Sequence, residues 1–140
     1  MTTQITKPRP ATLVPNDRRE QFLPTLFGHR LLIVAENTVY TMMERLSPAD
    51  YHGGFWNFYE RGGQPLFLAP TSKHSFRIES HITQFRGEIS ADAAGIVATL
   101  YALLYLSEKY EIELLVQRYY RLRVYSLHHP ELSEIFQILD

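Results

Sequence analysis

Glu79 and Glu88 fall in neighbouring short runs of the chain, where a carboxylic acid and a carboxylate base could face one substrate across two strands. They alternate with Arg77 and Arg86, so cross-strand ion pairing on a wet sheet face accounts for all four residues without catalysis. Six histidines invite a metal. Yet there is no HExxH motif, His128 and His129 are adjacent and diverge on a helix, and His74 and His81 are separated by a strand and its turn; surface and capping roles are expected. Ser90, Asp92 and a histidine are the ingredients of a hydrolase triad. Ser90 lacks a GxSxG elbow, however, and a helix start explains both residues: the Ser90 oxygen accepts from a free backbone N–H, and Asp92 in the first turn complements the helix dipole.

The remaining chemistry is basic and aromatic. Arg118, Arg121 and Arg123 interleave with Tyr119, Tyr120 and Tyr125, a combination that holds single-stranded nucleic acid by stacking and phosphate contact. Helical spacing groups Arg118 and Arg121, with Tyr125 one turn beyond, and points Arg123 elsewhere. Phosphate tracking normally uses more charges than this, so a solvated helix face is the first expectation and nucleic-acid binding the alternative. Asp140 adds two negative charges, side chain and terminal carboxylate, at a helix C-terminus where the dipole disfavours even one. Arg118, Arg121, Tyr119, Tyr125 and Asp140 form the candidate interaction surface.

The elements that must position these groups are organised around Ser90 to Leu106. From Ala93 to Leu106 no residue is charged and little of the circumference is polar, yet the run is too short to span a bilayer; it predicts a core helix surrounded by protein. Gly95 would cost about 1 kcal/mol relative to alanine inside a helix, so close approach of a neighbouring backbone is its expected use. Before it, Asn16 or Asp17 is expected to cap a short helix that Pro24 and Gly28 break up, and a second helix covers at least Glu36 to Leu46. Between Gly53 and Ile89, aromatic and β-branched runs predict strands at Gly54 to Tyr59, Leu66 to Ala69, Ser75 to His81 and Phe85 to Ile89, with a hairpin turn at Gly62-Gly63. After a charged break at Glu108 to Glu111, helices follow from Ile112 to Leu127 and from Pro130 onward. The expected fold is α+β: one antiparallel sheet of about four strands, packed with N-terminal helices and a C-terminal group of three helices. Residues 1–15 are expected to form a loose arm and 16–140 a single domain.

Composition narrows the function classes. Fourteen basic and fifteen acidic residues in 140 give a formal charge of −1, which provides neither the basic face of a generic DNA binder nor the dense carboxylates of a DNA mimic. The absence of cysteine excludes disulfides, thiolate metal sites and cysteine nucleophiles. The first ten residues lack an apolar signal-peptide core, and a cytoplasmic location without membrane attachment is expected.

Two segments are recognisable. YHGGFWNFY, from Tyr51 through Gly53, Gly54, Trp56 and Phe58 to Tyr59, and SADAAGIVATLYAL, from Ser90 through Asp92 and Gly95, resemble the hallmark segments of the ArdB/KlcA antirestriction family. The resemblance extends to Ala11–Gly28 and Pro65–Pro70. It implies a small cytoplasmic protein of plasmids and other mobile elements that relieves cleavage by host type I restriction-modification enzymes and spares modification. It implies no catalytic centre, cofactor or metal; as partner it implies the restriction complex or a host factor on which that complex depends. The motif residues themselves are expected to be structural, and the protein to be a monomer.

Overall fold

Ser90 opens the central helix as its sequence predicts: its Oγ accepts a hydrogen bond from the Ala93 N–H at 3.1 Å. In the computed structural model, which describes residues 10–140, this helix is α3 (Ala91–Tyr110). It is preceded by β1 (Thr12–Leu13), α1 (Arg19–Phe27), α2 (Leu32–Leu46), β2 (Trp56–Arg61), β3 (Gln64–Pro70), β4 (Ser75–Glu79) and β5 (Arg86–Ser90), and followed by α4 (Glu113–Ser126) and α5 (Leu132–Leu139). Ile96, Val97, Leu100, Leu103 and Leu106 of α3 are completely buried. They meet Val39 and Met43 of α2, Leu66 and Leu68 of β3, Leu115 and Leu122 of α4, and Ile135 and Ile138 of α5 in one core. The architecture is α+β, with helices before the strands and three helices after them.

The strands depart from the expected single sheet. They form two small antiparallel sheets, β1-β2-β3 and β4-β5. The free edge of β3 is covered by a helix instead of a fourth strand: Thr99 of α3 sits beside Leu68, with its Oγ1 3.3 Å from both the Leu68 N and the Leu68 O. Thr71 then turns the chain away, bonding back to the Phe55 carbonyl through both its N–H and its hydroxyl. A fourth strand is thereby kept from the β3 edge.

The hairpin at Arg61-Gly62-Gly63-Gln64 is present, with φ of 58° at Gly62 and 77° at Gly63, the left-handed pair a two-residue turn requires. Phe76 and Ile78 of β4 face the core while Arg77 and Glu79 face outward, as the alternation predicts. Of the arm expected over residues 1–15, residues 1–9 lie outside the described chain. The rest is held: Thr12 and Leu13 pair with Glu60 and Tyr59, and the buried Val14 donates its N–H to the Phe58 carbonyl at 2.8 Å.

Helix ends also differ from expectation. Pro24 lies inside α1, tolerated because Phe22, Leu23, Leu26 and Phe27 anchor the helix in the core. Neither Asn16 nor Asp17 caps it; with Arg18 they form a 3-10 turn. The charges at Glu108 and Lys109 mark where α3 leaves the core, not where it ends, since both are good helix formers. The helix stops one residue before Glu111, which takes a left-handed φ of 54°. Pro130 precedes α5 without entering its first turn. No helix among the described residues is long and apolar enough to cross a membrane.

Candidate interaction surface

Arg118 and Arg121 do emerge together from α4, but both reach inward. Arg118 donates from Nη2 to the Thr25 carbonyl of α1 at 3.2 Å, and Arg121 donates from Nη2 to the Pro65 carbonyl of β3 at 2.6 Å. Burial pushes both guanidinium pKa values below their ordinary value, and at Arg121 the positive charge of Arg118 adds to the effect. Each arginine thus braces α4 against a neighbouring element through one of its five guanidinium N–H donors. Tyr125 is occupied similarly: its hydroxyl accepts from the Ala11 N–H at 3.3 Å and its ring lies 6.1 Å from that of Phe67. Tyr119 meets Tyr120 edge to face at 5.3 Å and accepts from Arg123 at 3.2 Å.

Asp140 is compensated by the third arginine. Arg123 Nη2 lies 3.0 Å from its Oδ2, and the same guanidinium covers the Phe136 ring at 4.8 Å. The five residues of the candidate surface therefore lie in four settings: two half-buried braces at Arg118 and Arg121, an edge-to-face pair at Tyr119, a stack on Phe67 at Tyr125 and a terminal ion pair at Asp140.

Glu79 and Glu88 stand in the expected register, with Arg77 opposite Glu88 and Arg86 opposite Glu79. The cross-strand ion pairs do not form. Arg77 turns instead to Asp50, with Nη2 2.7 Å from Oδ1 and Nε 3.0 Å from Oδ2, while its backbone N–H adds a 2.9 Å bond and Lys73 a fourth at 3.2 Å. Asp50, almost completely shielded in the turn after α2, outcompetes the exposed Glu88, which accepts from the Ser75 hydroxyl. Hydrogen bonds from Arg77 hold the Asp50 carboxyl far below the usual carboxylate range.

Asp92 has a partner that sequence spacing did not indicate. His129 Nε2 lies 2.7 Å from Asp92 Oδ2, and His129 Nδ1 accepts the Glu131 N–H at 2.9 Å, which assigns the ring proton of the neutral imidazole to Nε2. Glu131 in turn accepts the Ser90 N–H at 2.9 Å. Both ring nitrogens are engaged, so His129 has no nitrogen left to accept the Ser90 hydroxyl proton; the network fastens the start of α3 to the turn between α4 and α5. No group of three or more potential metal ligands occurs among the described residues.

Within YHGGFWNFY, Tyr51, Trp56 and Phe58 are buried, whereas His52 and Phe55 are exposed. Trp56 donates its indole N–H to the Tyr51 hydroxyl at 3.1 Å, Phe58 stacks on Phe22 at 4.4 Å, and Tyr59 stacks on Phe67 at 4.8 Å. Gly53 and Gly54 carry φ of 95° and 119° in the turn leading into β2.

What the sequence reading missed is a groove between α2 and α3. It has a volume of about 680 Å³, and its apolar wall is formed by Met42, Leu46, Ile82, Leu104 and Tyr105. A second depression of about 360 Å³ shares Met42, Arg45 and Tyr105 with it and continues to Val34. Ile82 is 87% exposed and Tyr105 45%. A signal was present: α3 carries no charge from Ala93 to Leu106, so any side of that stretch left uncovered becomes a sticky surface.

Comparison with known proteins places this framework. The antirestriction protein KlcA of Escherichia coli is 40% identical over 138 residues, covering 96% of each chain. A second E. coli antirestriction protein KlcA is 41% identical over 143 residues, covering 98% of this chain and 97% of its own. A solved structure 39% identical in sequence superposes with a TM-score of 0.84, covering 98% of this chain and 100% of the other. It is described in work on KlcA and ArdB that reports a novel fold and antirestriction activity against type I DNA restriction systems in vivo but not in vitro. The family described as antirestriction protein matches residues 49–140. The chain belongs to the antirestriction protein family.

Proposed function

We propose that this protein relieves cleavage of incoming DNA by type I restriction-modification enzymes while sparing modification, and that it acts by contacting protein and not by imitating DNA. The observation that carries the reading is the likeness over the whole length to KlcA and to a solved chain from work on type I antirestriction. Charge supports the second half. A net charge of −1 cannot replace the phosphates of a DNA groove, and Asp50, Glu60 and Asp140 spend their carboxylates on cations of the same chain. The partner is the restriction complex or a host factor it uses while translocating. The alternative of nucleic-acid binding through Arg118, Arg121, Tyr119 and Tyr125 loses ground because both arginines bond backbone carbonyls.

The test is plating of unmodified phage on cells carrying a type I system, with and without the protein, with methylation of the surviving DNA measured alongside. Restored plating with modification intact is expected. Unchanged restriction would overturn the reading.

A further inference from the structure

Arg61 ends β2, and the Gly62-Gly63 turn sets it beside α4, where its guanidinium lies 5.9 Å from the centre of the Tyr125 ring. Arg61, Gly62, Leu66 and Arg121 line a pocket of about 410 Å³, a size within the range of small-ligand sites. Its donors are largely unspent. The Arg61 side chain makes no hydrogen bond or ion pair among the described residues, and Arg121 gives one N–H to the Pro65 carbonyl and keeps four. The backbone N–H of Gly62 meets no described acceptor.

The charge around this pocket has one sign. No carboxylate lines it. Glu60, the chain neighbour of Arg61, opens into a different depression and is held there by both terminal nitrogens of Arg18. Arg118, one turn before Arg121, adds its positive charge to the desolvation of Arg121, and its own Nε is buried without a partner. Half-burial without a carboxylate distinguishes Arg118 and Arg121 from Arg18, Arg77 and Arg123, each of which meets one. Residues 1–9 join the chain just before Ala11, whose N–H meets the Tyr125 hydroxyl; they include Lys7 and Arg9 and no acid.

The count of charges indicates the ligand. Two guanidiniums lining one pocket match a dianion. A carboxylate or a phosphodiester carries a single negative charge, whereas a terminal phosphate carries close to two at neutral pH and offers three oxygens to the guanidinium forks. We propose that the pocket between the β2–β3 hairpin and α4 binds a terminal phosphate dianion, free or as the head of a small monoester, held by Arg61 and Arg121 with the Gly62 N–H as a further donor. Such a site closes on one phosphate group and does not track a nucleic-acid backbone. It stands independently of how the protein relieves restriction.

NMR titration of the full chain at neutral pH and constant ionic strength tests this with inorganic phosphate, deoxyadenosine 5′-monophosphate and deoxyadenosine. Both phosphates should shift the Gly62 amide and the Arg61 and Arg121 Nε–H signals to saturation, and the nucleoside should not. Tighter binding of the nucleotide assigns the site to a monoester, and tighter binding of inorganic phosphate assigns it to the free ion; either upholds the site. Absence of saturable shifts, or equal shifts with acetate, overturns it.

Arg61→Gln alters a side chain that makes no hydrogen bond to the described chain, and circular dichroism establishes that the variant folds. It should weaken both phosphates at least tenfold, the scale of a lost charge-assisted hydrogen bond. Arg86→Gln removes an arginine without an ion pair from the other sheet and should leave the affinity unchanged. Wild-type affinity in the folded Arg61→Gln variant overturns the proposal, and so does an equal weakening by Arg86→Gln, which would show attraction by net charge and not a site.

Discussion

Gly95 and Ala69 are packed backbone to backbone: a Cβ built on Gly95 would lie 2.5 Å from the Ala69 Cα and 2.4 Å from the Leu68 carbonyl oxygen. Neither atom belongs to a flexible side chain that could swing away, so α3 and β3 can lie this close only with glycine at this position. Gly95→Ala should therefore destabilise the protein by about 2–3 kcal/mol despite alanine's better helix propensity. Urea unfolding checks this, and a variant as stable as wild type would contradict the close approach.

One turn further on, Thr99 uses that proximity. Its hydroxyl serves the Leu68 edge and also bonds the Gly95 carbonyl at 2.8 Å. Thr99→Val keeps the volume but leaves the buried Leu68 N–H without its partner, a loss of about 1–3 kcal/mol. Thr99→Ser should restore most of it. Hydrogen exchange at the Leu68 amide provides a local readout: faster in Thr99→Val, near wild type in Thr99→Ser.

Asp50 predicts a pH dependence. Its folded-state pKa is depressed by Arg77, so the stability it contributes is present above the unfolded carboxylate value of about 4 and is lost as pH falls toward the much lower folded value. Urea midpoints measured from neutral pH downward should fall more steeply below about pH 4 in wild type than in Asp50→Asn. Parallel acid limbs would show that the Arg77 clasp has no energetic weight.

The inward-facing arginines predict weak nucleic-acid binding. Titration of single-stranded and duplex DNA at physiological salt should show no steeply salt-dependent association of the wild type, because Arg118 and Arg121 hold the Thr25 and Pro65 carbonyls. Arg121→Gln should lower the unfolding midpoint while leaving DNA affinity unchanged. Tight, salt-sensitive binding abolished by that substitution would restore the nucleic-acid reading.

Much of this molecule is local and legible. Ser90 caps a helix because a hydroxyl precedes an apolar run; Gly62 and Gly63 turn a hairpin because they accept positive φ; Phe76 and Ile78 face inward because strand side chains alternate. The candidate surface was legible only as a set of residues. Arg118 and Arg121 share a helix face, as spacing requires, but a long side chain that can point to solvent can equally reach a carbonyl far away in sequence.

The sequence by itself determined the α+β class, the central helix with its cap, the close-approach role of Gly95 and the likeness to the antirestriction family, because each depends on neighbours along the chain or on whole-motif pattern. Only the tertiary structure decided that the strands divide into two sheets, that Asp50 takes Arg77 from Glu88, that His129 closes on Asp92, and that one side of α3 stays open as a groove. Those outcomes depend on which distant groups compete for the same donor or edge, and that competition is settled only when the chain has packed.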